Sequence, residues 1–204
     1  YRRSLSGRLD TALNDGWVDT RRRLLLYLVV ATAITGAIGF SFKDIIHELF
    51  ESAAFAAAML LVTGVLLFLS DRVKHPVRTE AEMNLLDSIV IGAIQGIAVL
   101  PGISRSGSTI TFGLFRGLEG ETAARFSFLL SIPAIAGAAV LEARHADAVP
   151  PGEAAVYASG AVAAGVVAYM TLKFLFSVVR KRNLRYFAYY CWIVGAAVLA
   201  LHLR

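Results

Sequence analysis

The stretch LDSIVIGAIQGIAVLPGISRSGSTITFGLFRG, residues 86–117, decides how the rest of the chain is read. It is apolar enough to enter a membrane, yet Pro101, Gly102, Ser104, Arg105, Ser106 and Gly107 interrupt it at its middle. The two halves, 86–100 and 108–116, are each shorter than the roughly 20 residues that a spanning helix needs. A broken pair that enters and returns on the same side, a re-entrant helical hairpin, is the economical reading.

Long apolar runs stand on both sides of this segment, at 24–40, 53–69, 123–141, 155–179 and 184–203. Pro133 lies inside the third, a kink that a lipid-buried helix tolerates. Lys173 lies near the basic end of the fourth, where its stem can snorkel. The fifth opens with Tyr186, Phe187, Tyr189, Tyr190 and Trp192 beside Arg180, Lys181 and Arg182, which reads as an interfacial aromatic belt. Arg21, Arg22 and Arg23, the 71–78 segment and the 180–185 segment are basic and are expected on the cytoplasmic side. The 41–52 loop sets Lys43 against Asp44, Glu48 and Glu51, and the 142–154 loop sets Arg144 against Glu142, Asp147 and Glu153. Both are expected outside. Five full spans satisfy these assignments only if 86–117 returns to the side from which it came.

The fold class that follows is an all-α, polytopic integral membrane helix bundle. Of the 204 residues 57% are hydrophobic and 17% charged, against about 45–50% apolar and about 25% charged in soluble domains. The formal charge of +5 sits in short clusters beside apolar blocks, without the reading surface of a nucleic-acid binder. The single cysteine, Cys191, allows no intrachain disulfide and reads as a small buried hydrophobe. His47, His75, His145 and His202 have no partners at metal-ligand spacing and read as surface residues. Glu119, Glu121, Arg125 and Arg116 read as a solvated face where the hairpin exits, with a lipid-headgroup contact as the alternative for Arg116. The opening Tyr1-Arg2-Arg3, with no Met and no signal-peptide pattern, carries the expectation that natural N-terminal residues are missing.

The chemistry concentrates in residues 95–109. An arginine between apolar half-segments costs about 2.5–3.5 kcal/mol on insertion scales, so it normally faces a polar cavity and an anionic partner. A half-helix is expected to begin at about Ser106 to Ser108, and its unpaired N–H groups and positive dipole end would point into the same cavity. Guanidinium, hydroxyls and free amides converging on one point describe an oxyanion site, and donors from several directions suit phosphate better than carboxylate. Serine and threonine at a helix start are also ordinary caps, and Pro-Gly is an ordinary turn.

The string Pro101-Gly-Ile-Ser-Arg-Ser-Gly-Ser-Thr109, with Gln95 six residues ahead, resembles the second signature of the undecaprenyl-diphosphate phosphatases, the bacitracin-resistance family. Residues 126–133, FSFLLSIP, match the family's helix after that signature, and the basic-then-aromatic final helix also fits. The resemblance covers the whole chain. It implies two inverted-topology repeats, each a re-entrant pair followed by three membrane helices. Residues 1–85 would then be the remainder of the first repeat and residues 86–204 the complete second. The family's other signature, with two glutamates, a Ser-Ser/Thr-Gly run and a histidine, does not occur in this chain. Its absence leaves the acidic half of the site unaccounted for.

What the resemblance implies is hydrolysis of undecaprenyl diphosphate to the monophosphate and inorganic phosphate, recycling the lipid carrier of cell-wall synthesis. Arg105, Ser104 and Ser106 would be the catalytic residues, and Gly107, Thr109 and Gln95 the phosphate-binding ones. A divalent cation, Mg or Ca, is compatible with the family, but its acidic ligands are not in this chain. No metal-ligating residue is assigned here. The expected partners are the polyprenyl diphosphate and membrane lipids, with a homo-oligomer left open and no nucleic acid. The expected location is the bacterial plasma (inner) membrane, with the site opening toward the outer side. A polyprenyl-phosphate transporter or flippase, or a non-catalytic membrane subunit, are the alternatives.

Overall fold

The computed structural model describes residues 2–73, 76–143 and 152–202, with side chains at 2–18, 43, 44, 47, 142 and 143 outside the description. The chain runs α1 (Arg2–Ser41), α2 (Lys43–Phe50), α3 (Ala53–Ser70), a 3-10 turn (Glu80–Glu82), α4 (Leu85–Ile97), α5 (Arg105–Phe115), α6 (Gly120–Ala143), α7 (Ala154–Arg180) and α8 (Arg185–His202). Among the described residues there is no strand, only an isolated bridge between Arg78 and Leu118. Four helices hold segments long and apolar enough to cross a bilayer: Asp19–Ser41 within α1, Ala53–Ser70, Gly120–Leu141 within α6, and Ala154–Arg180. The protein is therefore an all-α, multi-pass membrane bundle.

The fifth apolar run forms helix α8, whose opening arginine, three tyrosines and tryptophan make it less apolar over its 18 residues than the four spans. Two expectations need correction. The 41–52 loop is largely the short helix α2, with Ile45, Ile46, Leu49 and Phe50 giving it an apolar side. Helix α5 begins at Arg105 and not at Ser106 to Ser108, because Ser104 takes the N-cap position. The outer-loop charges Glu142, Arg144 and Asp147, and His47, His75 and His145, fall outside the described side chains.

Helix starts follow from local chemistry. Ser52 accepts the Phe55 amide at 3.2 Å and caps α3. Asn84 and Asp87 form a reciprocal box at the start of α4, at 3.1 and 2.9 Å. Thr79 and Glu82 build a similar box on the 3-10 turn. The Thr79 amide, then its hydroxyl, hold the Glu82 carboxyl below the usual carboxylate range. The start of α8 is capped from a distance: Asp71, just after α3, accepts the Leu184 and Arg185 amides at 3.2 and 3.1 Å.

Small residues and hydroxyls bring the helices together, as expected where lipid supplies no hydrophobic drive between them. A Cβ on Gly92 would lie 2.7 Å from Ala31 Cα, and one on Gly96 2.7 Å from Ile38 Cβ, so α4 lies close along α1. Thr35 donates to the Gly92 carbonyl at 2.9 Å and Ser88 to the Tyr27 carbonyl at 2.6 Å across the same seam. On the other side α3 pairs with α8. Gly64 leaves room for Trp192, whose Nε1 donates to the Leu61 carbonyl at 3.2 Å, and Gly195 fits against Leu61. Helix α5 meets α6 where Gly113 faces Ala123. Helix α7 stands apart, exposed along most of its length until Val179 packs at Gly120.

The two ends of the broken segment meet. Asp87, in the first turn of α4, is fully buried and receives Arg116 Nε, just beyond α5, at 2.8 Å and Arg78 at 2.7 Å. Arg78 also donates to the Arg116 and Glu82 carbonyls at 2.7 Å each, and its own backbone bonds Gly117 and Glu119 at 3.0 and 2.9 Å. Arg116 is thus no solvated or lipid-facing cation, as the sequence suggested; a buried carboxylate claims it. Nor is Arg78 a free basic loop residue. The basic segments gather at this same end: Arg180 pairs with Glu121 at 2.9 Å, and Arg182 donates to the Val73 carbonyl.

Candidate phosphate-binding site at the hairpin tip

Between α4 and α5 the chain reverses through residues 98–104. Pro101 and Gly102 occupy the centre of a turn closed by the Ile103 amide on the Leu100 carbonyl at 3.2 Å. Gly102 has φ +89°, the conformation that a type II turn requires at its third position. A Cβ there would also lie 2.0 Å from the Ala56 carbonyl oxygen. The turn is therefore seated against the first half of α3. Near the middle of that helix, Thr63 donates to the Gly102 carbonyl at 3.1 Å and accepts the Ser104 amide at 3.0 Å. The tip stops partway along a spanning helix.

Ser104 is the N-cap of α5, its hydroxyl oxygen accepting the Gly107 amide at 3.1 Å. The Ser104 hydroxyl donates to no described residue. The Ser108 amide already bonds the Ser104 carbonyl at 2.9 Å, whereas the Arg105 and Ser106 amides have no acceptor among the described residues. These two orphan donors lie at the positive end of the helix dipole. The Arg105 side chain is half-buried and makes no ion pair, hydrogen bond or aromatic stacking with any described residue. Arg23, Arg78, Arg116, Arg125 and Arg180 all hold carboxylates, and Arg72 and Arg185 lie over aromatic rings. A half-buried guanidinium without an anion is costly.

The other residues named from the sequence are placed differently. Gly107 gives up its side chain to its own cap: a Cβ would lie 2.8 Å from Ser104 Oγ and 3.3 Å from Leu67 Cδ2. Its amide is spent on Ser104. Thr109 is fully buried and bonds Ser127 of α6 at 2.6 Å and the Arg105 carbonyl at 2.9 Å, so it ties α5 to α6. Gln95, one turn before the break, directs Nε2 to Thr35 of α1 at 3.4 Å and to the Leu130 carbonyl of α6 at 3.5 Å. Its Oε1, with Ser108 Oγ and Thr111 Oγ1, is buried without a partner among the described residues. Ser104, Ser106 and Arg105 thus share the tip, while Gln95 and Thr109 hold the helices around it.

Sequence reasoning missed Asp87, Thr63 and Ser127. The first was legible, since Asn84 three residues before an acid at the head of an apolar run is a capping-box pattern. A threonine and a serine inside apolar runs carried no signal. The tip offers donors and a cation, with no carboxylate, so its residues do not fit a divalent metal ion. Among the described residues no three carboxylate, imidazole or thiol side chains come together. A cavity of about 370 Å³ at the basic end is lined by Asp71, Glu121, Arg180 and Arg182, where Arg180 pairs with Glu121, Arg182 donates to the Val73 carbonyl and Asp71 accepts backbone amides.

Fold and site together define a multi-pass membrane protein whose broken helical hairpin carries at its tip an arginine that no described residue pairs with. The chain belongs to the bacitracin resistance protein BacA family, whose model matches residues 1–197. A relative from Syntrophotalea carbinolica is 44% identical over 88% of this chain and 68% of its own length. One from Desulfatibacillum aliphaticivorans is 43% identical over 89% of this chain and 66% of its own length. One from Methanothermobacter thermautotrophicus is 43% identical over 85% of this chain and 97% of its own length. All three carry the name undecaprenyl-diphosphatase. The chain therefore spans about two thirds of the first two relatives and nearly all of the third.

Proposed function

We propose that this chain acts in hydrolysis of undecaprenyl diphosphate to undecaprenyl phosphate and inorganic phosphate, returning the lipid carrier to bacterial cell-wall synthesis. The observation that carries the reading is the half-buried Arg105 guanidinium, unpaired among the described residues, beside the two orphan amides that open α5. The names of the relatives supply the substrate class. In this reading 86–117 is a re-entrant hairpin of the plasma membrane, and its tip opens toward the outer face. Residues 1–85 and 86–204 belong to two inverted halves.

The polyprenyl tail stays in lipid while the diphosphate reaches the tip. The Arg105 fork takes two phosphate oxygens, as its planar donors allow. The Arg105 and Ser106 amides and the Ser104 and Ser106 hydroxyls donate to the rest. Charge moving onto the transferred phosphoryl group and the leaving oxygen is offset by these preorganised donors. Gly107 and Thr109 serve this site by shaping the first turn of α5, and Gln95 by fixing α4.

Purified full-length protein in lipid vesicles, given a C55 polyprenyl diphosphate, is expected to release inorganic phosphate. Saturable binding of the lipid with no release, and movement of lipid between leaflets, would instead mark a transporter.

A further inference from the structure

Helix α3 is apolar along its length except for Thr63 and its last residue, Ser70. A hydroxyl in such a helix usually bonds the carbonyl one turn back in its own helix. Thr32, Ser41 and Thr171 do so here, on Leu28, Ala37 and Val167 at 2.7 to 2.8 Å. Thr63 does not. Its hydroxyl leaves α3 and spans the turn of the hairpin tip, bonding Gly102 and Ser104 at once. The side chain is fully buried, so no solvent competes for either bond.

Both bonds bear on Arg105. The Ser104 amide is adjacent to it in the chain, and Ser104 is the cap that starts its helix. The register of Thr63 is itself fixed, because the neighbouring Gly64 has Trp192 where a side chain would stand, 2.4 Å from a built Cβ. We propose that Thr63 is a positioning residue: by holding Gly102 and Ser104 it aims the first turn of α5, and with it the Arg105 fork, at the bound diphosphate. The proposal rests on the reading of the tip as the phosphate site. Only a group that donates and accepts together can bridge the turn, so serine can substitute and valine, equal in shape, cannot.

The test compares Thr63→Val, Thr63→Ser and Arg105→Ala in the full chain, reconstituted with C55 polyprenyl diphosphate. Misplacement of a reacting group by about 1 Å costs about 100-fold in rate. Thr63→Val is expected to lower kcat by at least about 10-fold, with KM within about 3-fold, and to speed hydrogen exchange at the Ser104 amide. Thr63→Ser is expected to restore both. Parental kcat in Thr63→Val, alongside an inactive Arg105→Ala, overturns the positioning role alone. Equal losses in the valine and serine variants, with a lowered melting temperature in each, overturn it too. Full activity in Arg105→Ala defeats the phosphate-site reading instead, while the Ser104 exchange rate still reports on the Thr63 bond.

Discussion

Asp87 shows how one carboxylate can fix a broken membrane segment. It has no exposed surface, yet two guanidiniums and its own box partner Asn84 satisfy its oxygens. Removing one member of a buried ion pair costs about 3–5 kcal/mol, because the remaining charge is stranded. Arg78 and Arg116 keep 27% and 31% side-chain exposure and can partly rehydrate, so the low end of that range applies. Asp87→Ala is expected to lower the melting temperature in detergent clearly, and an unchanged melting curve would show the triad to be ornamental. The residue scale is where the sequence was least readable. Arg105 declared itself, because a cation between apolar halves demands an explanation. Thr63 and Ser127 did not, since a hydroxyl amid apolar neighbours looks the same whether it back-bonds its own helix or reaches another. Arg116 was misjudged for a related reason: its anion lies 29 residues earlier in the chain, beyond any local pattern.

At the scale of elements, glycine separates contact from exposure. Gly92 faces Ala31 backbone with no room for a side chain, whereas a Cβ on Gly160 would meet nothing within 4 Å. Both lie in apolar helices and look alike in sequence. Gly92→Leu is expected to push α4 off α1 and destabilise by about 1–3 kcal/mol, as overpacking does. Gly160→Leu is expected to leave the melting temperature unmoved. Equal effects would mean that the α1–α4 seam is not a close contact. The long spans were legible because about 20 apolar residues have few other uses. The α5 start was misplaced because three serines near the break compete as caps, and only the fold selects Ser104.

Across the whole molecule the loop charges and the geometry agree on one arrangement. The hairpin mouth, the segment after α3 and the α7–α8 turn are bonded to one another at one end of the bundle. With Cys191 replaced, single cysteines at Val77, Glu119 and Lys181 should therefore react with an impermeant maleimide only after the membrane is opened. Cysteines at Glu51 and Gly152 should react in intact cells. Val77 and Glu119 labelling from opposite sides would break the re-entrant topology, and Val77 and Glu51 labelling from the same side would show that α3 does not cross. In the topology proposed here, the Arg105 guanidinium would lie within the hydrocarbon layer, where an anion is the natural partner. The most direct test is turnover of C55 polyprenyl diphosphate by Arg105→Ala and Arg105→Lys against the parental protein. Loss of one oxyanion donor typically costs about 10²–10³-fold in rate. Both variants are predicted to fall by about that much, lysine included, because an ammonium cannot make the paired contact. Parental kcat/KM in Arg105→Ala would contradict the account.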